Sequence, residues 1–279
     1  MEKIRKNKKV IAVFLIPAVL IYLCFELIPV VMSVYFSFND WPGLQAVPLK
    51  FVGFKNYSNL FHNAVFLKSL QNVLIYVVVS VILQVPIGFG LGLLIHHFKK
   101  GQRFFKAAFF IPMILSVTAV ALLWNFIYFP TDKGILNSLL IKIGLGNYIQ
   151  QWLVNPKTSL ICLIVVSTWT SVGYYMIICL AGLTSIPDSV LEAGELDGAT
   201  GWKKIWNLYI PMLWEPLKMS TIMVITGVLK IFDTVYILTP TGGTSNCTIV
   251  PALLMYNEAY RYGPVSYTHL RAHETLANL

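Results

Sequence analysis

Four carboxylates lie close together in the chain, at Asp188, Glu192, Glu195 and Asp197, between two long apolar segments. A carboxylate on a helix can orient its own backbone near the helix N-terminus, or it can pair with a basic group on another molecule. Such an acidic segment has no use between two membrane segments unless another protein contacts it. We therefore predict that these residues belong to a protein-binding surface.

An amphipathic helix lying on the membrane is the alternative interpretation of this segment. Helices of that kind carry mainly Lys and Arg on their polar face. Here all four carboxylates precede the first basic residue, Lys203, and would face an anionic lipid surface. The order of the charges therefore favours a protein partner.

The local sequence predicts two short helices joined by a glycine hinge. Pro187 and Asp188 are typical of a helix start, and Gly198 is typical of a helix end. A second helix is expected over residues 202–209 and should end at Ile210-Pro211. Small side chains would let a partner approach closely at Ala193, Gly194 and Ala199.

Histidine and cysteine, the other residues able to carry chemistry, are scattered. His62 falls in one predicted loop, whereas His96 and His97 fall in another. The sequence has no CxxC pair and no GxxxxGK[ST] loop, so it lacks the usual metal and nucleotide patterns. We therefore expect no catalytic residue, no metal site and no cofactor.

The composition defines the class of protein. Hydrophobic residues make up 57% of the 279 residues and charged residues only 12%, against about 25% charged residues in soluble domains. The chain is therefore predicted to be an all-α, polytopic membrane protein. Its net charge of +9 comes from basic residues beside the apolar segments, which favours a role in membrane topology and excludes nucleic acid as a partner.

Five segments reach the roughly 20 apolar residues that a membrane span needs. They are predicted at about 10–36, 70–95, 107–129, 159–182 and 217–238. Residues 1–9 form a basic tail, and the first apolar stretch is too long for a cleaved signal peptide. Residues 10–263 are therefore expected to form one membrane domain with a retained first span.

The basic residues predict the orientation in the membrane. Twelve Lys and Arg residues lie in the N-terminal tail and in the loops after spans two and four, against seven in the opposite loops. Because basic loops stay in the cytoplasm, the N-terminus and the acidic loop 184–215 are both expected there.

The acidic loop also resembles a known family motif. Glu192-Ala193-Gly194, Asp197-Gly198-Ala199 and Ile210-Pro211 resemble the E-A-A-x-x-D-G-A loop, with its aliphatic-proline pair, of permease subunits in binding-protein-dependent ABC importers. Gly194 departs from the pattern at its third small residue. Residues 232–243 resemble the fifth span of the family and the glycine-rich turn after it, although Pro240 and Thr244 are unusual.

This resemblance covers residues 10 to about 263 and is strongest for the lactose, glycerol-3-phosphate and multiple-sugar permeases. It implies a type I ABC importer permease fold in the cytoplasmic (inner) membrane of a bacterium. It also implies a second homologous permease, a cytoplasmic ABC ATPase dimer, an extracytoplasmic solute-binding protein and a sugar substrate. The ATPase would then dock on the loop around Glu192 and Gly198, and ATP hydrolysis would belong to that partner.

Two other functions are considered. A secondary transporter would contain internal repeats with broken helices, and the sequence shows no repeat. A membrane-embedded enzyme would need convergent His, Asp or Ser side chains, and none converge in the predicted topology.

Ionisable and aromatic residues within the spans are candidates for the transport pathway. Lys230 and Asp233 are three residues apart, so on a helix they would share a face and could pair. They could contact sugar hydroxyls or form a structural pair. Other side chains could face a sugar or serve packing, namely Asn125, Trp169, Tyr174 and Tyr175.

The C-terminal residues 264–279 are less apolar than the rest of the chain. The run from Val265 to Thr275 resembles a translated sequencing-adapter sequence, so we give His269, His273 and Glu274 no functional role. We expect the natural gene to continue into a sixth span. Resequencing of the locus tests this: another apolar run after Tyr262 would support the expectation, and a stop codon there would contradict it.

Overall fold

The computed structural model describes residues 8–40, 48–98 and 101–261. The predicted tail 264–279 and most of the basic tail 1–9 therefore lie outside the described residues. The chain divides into two compact units, one ending at Ala64 and one formed by Val65–Arg261.

The first unit begins with helix α1 (Lys8–Tyr22), a π turn (Leu23–Leu27) and helix α2 (Ile28–Ser37). A two-residue antiparallel ladder follows, with β1 (Asn39–Asp40) paired to β2 (Lys50–Phe51), and then helix α3 (Lys55–His62). The Asn56 side-chain amide donates to the carbonyls of Ser37 and Asn39, at 3.0 and 2.9 Å. The segment after β2 is therefore tied to the end of α2.

The second unit is helical. Its helices are α4 (Ala64–His97), α5 (Gln102–Ile114), α6 (Val117–Ile127), α7 (Ile135–Lys142), α8 (Ser159–Thr184), α9 (Asp188–Leu196), α10 (Trp202–Met212), α11 (Trp214–Leu229), α12 (Asp233–Leu238) and α13 (Pro251–Tyr256). Among the described residues, three helices are long and apolar enough to cross a membrane, and up to five spans result if each bent helix pair counts once.

Helix α8 forms the centre of the core. Leu163, Ile164 and Met176 on this helix are fully buried. A Cβ at Gly173 would overlap the carbonyl oxygen of Phe109, and a Cβ at Gly88 would come within 2.8 Å of the Tyr175 Cβ. Helices α4 and α5 therefore approach α8 at glycine contacts, which is how small residues bring membrane helices together.

Two of the predicted spans are broken in the structure. Within the predicted span 107–129, helices α5 and α6 meet at an angle of 98°. Ser116 is extended there, and its hydroxyl accepts a hydrogen bond from the Ala119 N–H at 3.2 Å, which starts α6 as a new helix. Within the predicted span 217–238, α11 ends at Leu229 and α12 begins at Asp233.

Candidate functional site

Helices α9 and α10 form a two-helix knob. Helix α9 starts after Pro187, whose extended backbone ends the previous turn, and it ends at Gly198, which has a φ of +81°. The Ala199 N–H donates to the Gly194 carbonyl at 2.8 Å across this end. The glycine therefore closes α9 in the left-handed conformation typical of a helix C-terminus.

Two contacts join the helices of the knob. The Lys204 Nζ donates to Glu195 Oε1 at 2.6 Å, and this hydrogen bond raises the pKa of Lys204 above its ordinary value. A Cβ at Gly194 would lie 3.3 Å from Leu208 Cδ2. The glycine that departs from the family pattern is therefore a position where α10 packs closely on α9.

The knob is anchored by apolar side chains on its inner face. Leu183, Ile186 and Leu213 are buried together at its base. Half-buried side chains pack against them from both helices, including Val190, Leu191 and Tyr209. The knob is therefore packed against the end of α8 and the start of α11.

The outer face of the knob is open. Glu192, Ala193, Asp197 and Gly198 are exposed. Leu196 is 90% exposed. A large apolar side chain surrounded by carboxylates is typical of a protein-docking surface, because interfaces combine an apolar centre with a polar rim.

The prediction that the second helix ends at Ile210-Pro211 is wrong. Helix α10 continues to Met212, and the bend of 73° to α11 follows it. A π turn over Ile205–Tyr209 precedes the proline, and the Ile210 N–H donates to the Ile205 carbonyl. The wider turn accommodates a proline that would otherwise disrupt an α-helix. The same order, π turn then Ile-Pro, occurs at Leu23–Leu27 and Pro29.

A second feature is a cavity of about 240 Å³ with a mixed polar and apolar lining. Leu115 and Val117 border it beside the break between α5 and α6, and Ile231 and Thr234 border it beside the break between α11 and α12. Irregular backbone at membrane depth is tolerated where it is buried in protein or lines a cavity. The two broken spans therefore meet around one space.

The polar residues of the cavity lining are all neutral. Gln84 is only 2% exposed, and in the described part of the chain its side chain makes no hydrogen bond. Ser167, Thr170, Ser171 and Tyr175 contribute hydroxyl groups from α8. The Gln84 amide can therefore donate to and accept from a ligand that supplies hydrogen bonds.

The structure brings only one of the predicted pathway residues, Tyr175, to this cavity. Trp169 packs edge-to-face on Trp124 with ring centroids 5.8 Å apart, and the Tyr174 hydroxyl contacts Met223 Sδ. Asn125 lies half-buried on α6.

Lys230 and Asp233, which could pair on a continuous helix, form no ion pair, because the helix ends between them. Both are exposed, and they flank the break whose Ile231 and Thr234 line the cavity.

Sequence reasoning missed the polar residues that line the cavity. Gln84 stands alone in an apolar stretch, and Ser167, Thr170 and Ser171 surround Trp169. Uncharged polar residues in a span were a usable signal, since they face the bundle interior and bond across helices. Charges and aromatic rings alone do not identify them.

The sequence matches a known family of membrane proteins. Residues 84–268 fit the family model described as "Binding-protein-dependent transport system inner membrane component". The matched region contains the knob and all of the residues that line the cavity.

Individual proteins are similar over nearly the whole chain. The probable ABC transporter permease protein YurN of Bacillus subtilis is 35% identical over 95% of this chain and 90% of its own length. The lactose transport system permease protein LacF of Rhizobium radiobacter is 33% identical over 90% of this chain and 83% of its own. A crystal structure of a bacterial ABC transporter involved in alginate import has a chain with 21% identity and a TM-score of 0.78, covering 94% of this chain and 88% of that one.

Proposed function

The chain belongs to the family of inner membrane components of binding-protein-dependent transport systems, whose relatives here are ABC transporter permeases, and we propose that its cargo is a sugar or oligosaccharide. In this proposal it forms half of the pathway, and a second homologous permease forms the other half. An extracytoplasmic binding protein delivers the cargo, and a cytoplasmic ATPase dimer supplies the energy.

The neutral polar cavity supports a sugar as the cargo. Sugar hydroxyls both donate and accept hydrogen bonds, so they match the amide of Gln84 and the hydroxyls of Ser171 and Thr234. The Tyr175 ring can offer an apolar face to a sugar ring. The similarity to a lactose permease points in the same direction. Lys230 and Asp233, beside the cavity, are proposed to guide polar cargo towards it.

The knob is the proposed coupling site for the ATPase. Its exposed face carries Glu192, Asp197 and Gly198, and its base packs against buried Leu183 and Leu213. A movement of the ATPase would therefore shift α8 and α11 as the knob moves. These helices line the cavity, so the knob can change access to it.

The proposed topology follows from the basic residues. The N-terminal tail and the loop 184–215 lie in the cytoplasm, and the membrane is the bacterial cytoplasmic membrane. The proposed membrane domain covers residues 10–263.

The exposed acidic face of the knob, above its packed base, is the observation that carries the coupling proposal, and co-purification tests it. The full-length gene product is expressed with its candidate ATPase, as wild type and as Glu192→Lys. The matched control is Glu258→Lys, which makes the same charge change at another exposed glutamate. We expect the wild type and Glu258→Lys to retain the ATPase and Glu192→Lys to lose it.

Two results would contradict the proposal. If the wild type retained no ATPase, the chain would not act through a docked ATPase. If Glu192→Lys retained as much ATPase as the control and transported at the normal rate, the coupling site would lie elsewhere.

A further inference from the structure

A large groove lies between the last turns of α4 and the helices α10 and α11. We call it the inner groove; its volume is about 1070 Å³. Its floor is apolar and includes Val85, Phe89, Leu93 and Leu217. Its rim carries His96, His97, Trp202, Lys204, Trp206 and Trp214. One end of the groove is therefore apolar and the other end is polar.

The rim offers hydrogen-bond donors. Trp202, Trp206 and Trp214 are 73%, 63% and 57% exposed, and their indole N–H groups donate no hydrogen bond within the described residues. An indole can only donate, and an ammonium group can only donate. Lys204 uses one of its hydrogens on Glu195 and also interacts with the Tyr209 hydroxyl, which leaves one hydrogen for another acceptor. Glu195, the acidic group of the groove, is already paired.

The combination of an apolar floor and hydrogen-bond donors at the rim indicates which kind of molecule fits the groove. A helix from another protein could cover the floor, but its backbone carbonyls are used in its own hydrogen bonds, so it would need acceptor side chains placed opposite each rim donor. A free anion could bind the rim but would leave the apolar floor uncovered. A phospholipid has two acyl chains for the floor and phosphate oxygens for the rim.

The basic residues that follow α4 indicate the charge of the lipid, and the predicted topology indicates the membrane leaflet. Helix α4 ends at His97, and the sequence continues through Lys99, Lys100, Arg103 and Lys106. In the proposed topology this end is cytoplasmic. Tryptophan is enriched at the membrane–water boundary, and basic pockets between membrane helices on this side bind anionic headgroups.

We propose that the inner groove binds one anionic glycerophospholipid of the cytoplasmic leaflet, with its phosphate on Lys204 and the indoles. This inference rests on the proposed topology but not on the identity of the cargo. Because Lys204 belongs to the knob, the lipid would support the knob against α4. The lipid composition of the membrane would then influence coupling.

Native mass spectrometry of the purified full-length chain tests the proposal. The protein is titrated with phosphatidylglycerol or with phosphatidylcholine, and the retained lipid is counted. Lys204→Gln removes the proposed phosphate contact, and Lys203→Gln is its matched control at an exposed neighbour that does not line the groove. Gly90→Leu fills the groove at a position where a Cβ meets nothing within 4 Å, and Gly146→Leu is a control that is equally open.

We expect one retained phosphatidylglycerol on the wild type and on both controls. Lys204→Gln should bind it about tenfold more weakly, as expected for loss of one charge-assisted hydrogen bond, and Gly90→Leu should lose it. Equal retention of the two lipids by the wild type would overturn the proposal. It would also be overturned if Lys203→Gln weakened the binding of phosphatidylglycerol as much as Lys204→Gln does.

The comparison of phosphatidylglycerol with phosphatidylcholine uses only the wild-type protein. It therefore tests the proposal even if a variant misfolds. A crosslink showing a segment of the second permease in the groove would also refute the lipid. Loss of the ATPase in co-purification would refute the coupling proposal alone.

Discussion

The ammonium group of Lys204 lies 2.6 Å from Glu195 Oε1, and this pair connects the two helices of the knob. The Lys204 side chain is 18% exposed and the Glu195 side chain is 57% exposed. Solvent therefore screens the pair on one side. The pair sets the orientation of α10 on α9 more than it stabilises the fold.

The strength of this pair gives the first prediction. A double-mutant cycle with Lys204→Gln and Glu195→Gln should give a coupling energy of only about 0.2–1 kcal/mol, as for exposed pairs. Because the hydrogen bond raises the pKa of Lys204, the contribution is complete below the unfolded pKa of lysine. It is lost as the pH rises through the higher folded value, above about pH 10.4.

Melting temperatures of the wild type and Lys204→Gln at neutral and alkaline pH measure this effect. The difference between the two proteins should shrink only at alkaline pH. A difference that disappeared between about pH 5 and 8, where histidine titrates, would show that another group is responsible.

The second prediction concerns the end of α9. Gly198 has a φ of +81°, and a Cβ added there would meet nothing within 4 Å, so backbone conformation alone limits substitution. Gly198→Val should cost at least about 1–2 kcal/mol, whereas Gly198→Asn should cost less because Asn adopts this conformation more readily. Thermal melts of the two variants test the order. Equal melting temperatures would show that the turn is not held in this conformation.

The third prediction compares two glycines in membrane helices. A Cβ at Gly173 would overlap the Phe109 carbonyl oxygen, whereas a Cβ at Gly90 meets nothing within 4 Å. Gly173→Ala should destabilise the chain by about 1–3 kcal/mol or more. Gly90→Ala should be neutral or should stabilise it by up to about 1 kcal/mol. Detergent-solubilised thermal stability separates the two, and a stable Gly173→Ala protein would show that α5 and α8 are farther apart.

The fourth prediction tests the polar cavity. Gln84→Leu removes the buried amide and should raise the KM for sugar uptake about tenfold, as expected for one lost hydrogen bond of about 1.4 kcal/mol. The matched control is Gln71→Leu, an exposed glutamine of the same helix. Uptake of radiolabelled sugar measures both. An unchanged KM with a lower maximal rate would place Gln84 outside the binding step.

The knob could be predicted from sequence because its signals are local. Pro187 starts α9 and Gly198 ends it within single turns, and turn chemistry of this kind depends on few neighbours. The end of α10 was misplaced because Pro211 was expected to stop the helix. The π turn before Pro211 shifts the hydrogen bonds instead.

The cavity could not be predicted in the same way. Ser116 reads as a small residue in an apolar run, and only the structure shows that it caps a new helix. The role of Gln84 depends on residues of other helices far away in sequence, such as Ser171 and Thr234. A pairing of Lys230 with Asp233 assumed a continuous helix, and the break between them removes its basis.

The contact between Gly173 and Phe109 also has a consequence for biosynthesis. Phe109 is made first, and ribosomes add about 5–20 residues per second. Helix α5 is therefore complete several seconds before Gly173, the residue on which it packs, has been synthesised. During that time lipid or an insertion factor must cover its apolar side. Mutations at this contact should consequently reduce the yield of inserted protein before they reduce the activity of the molecules that mature.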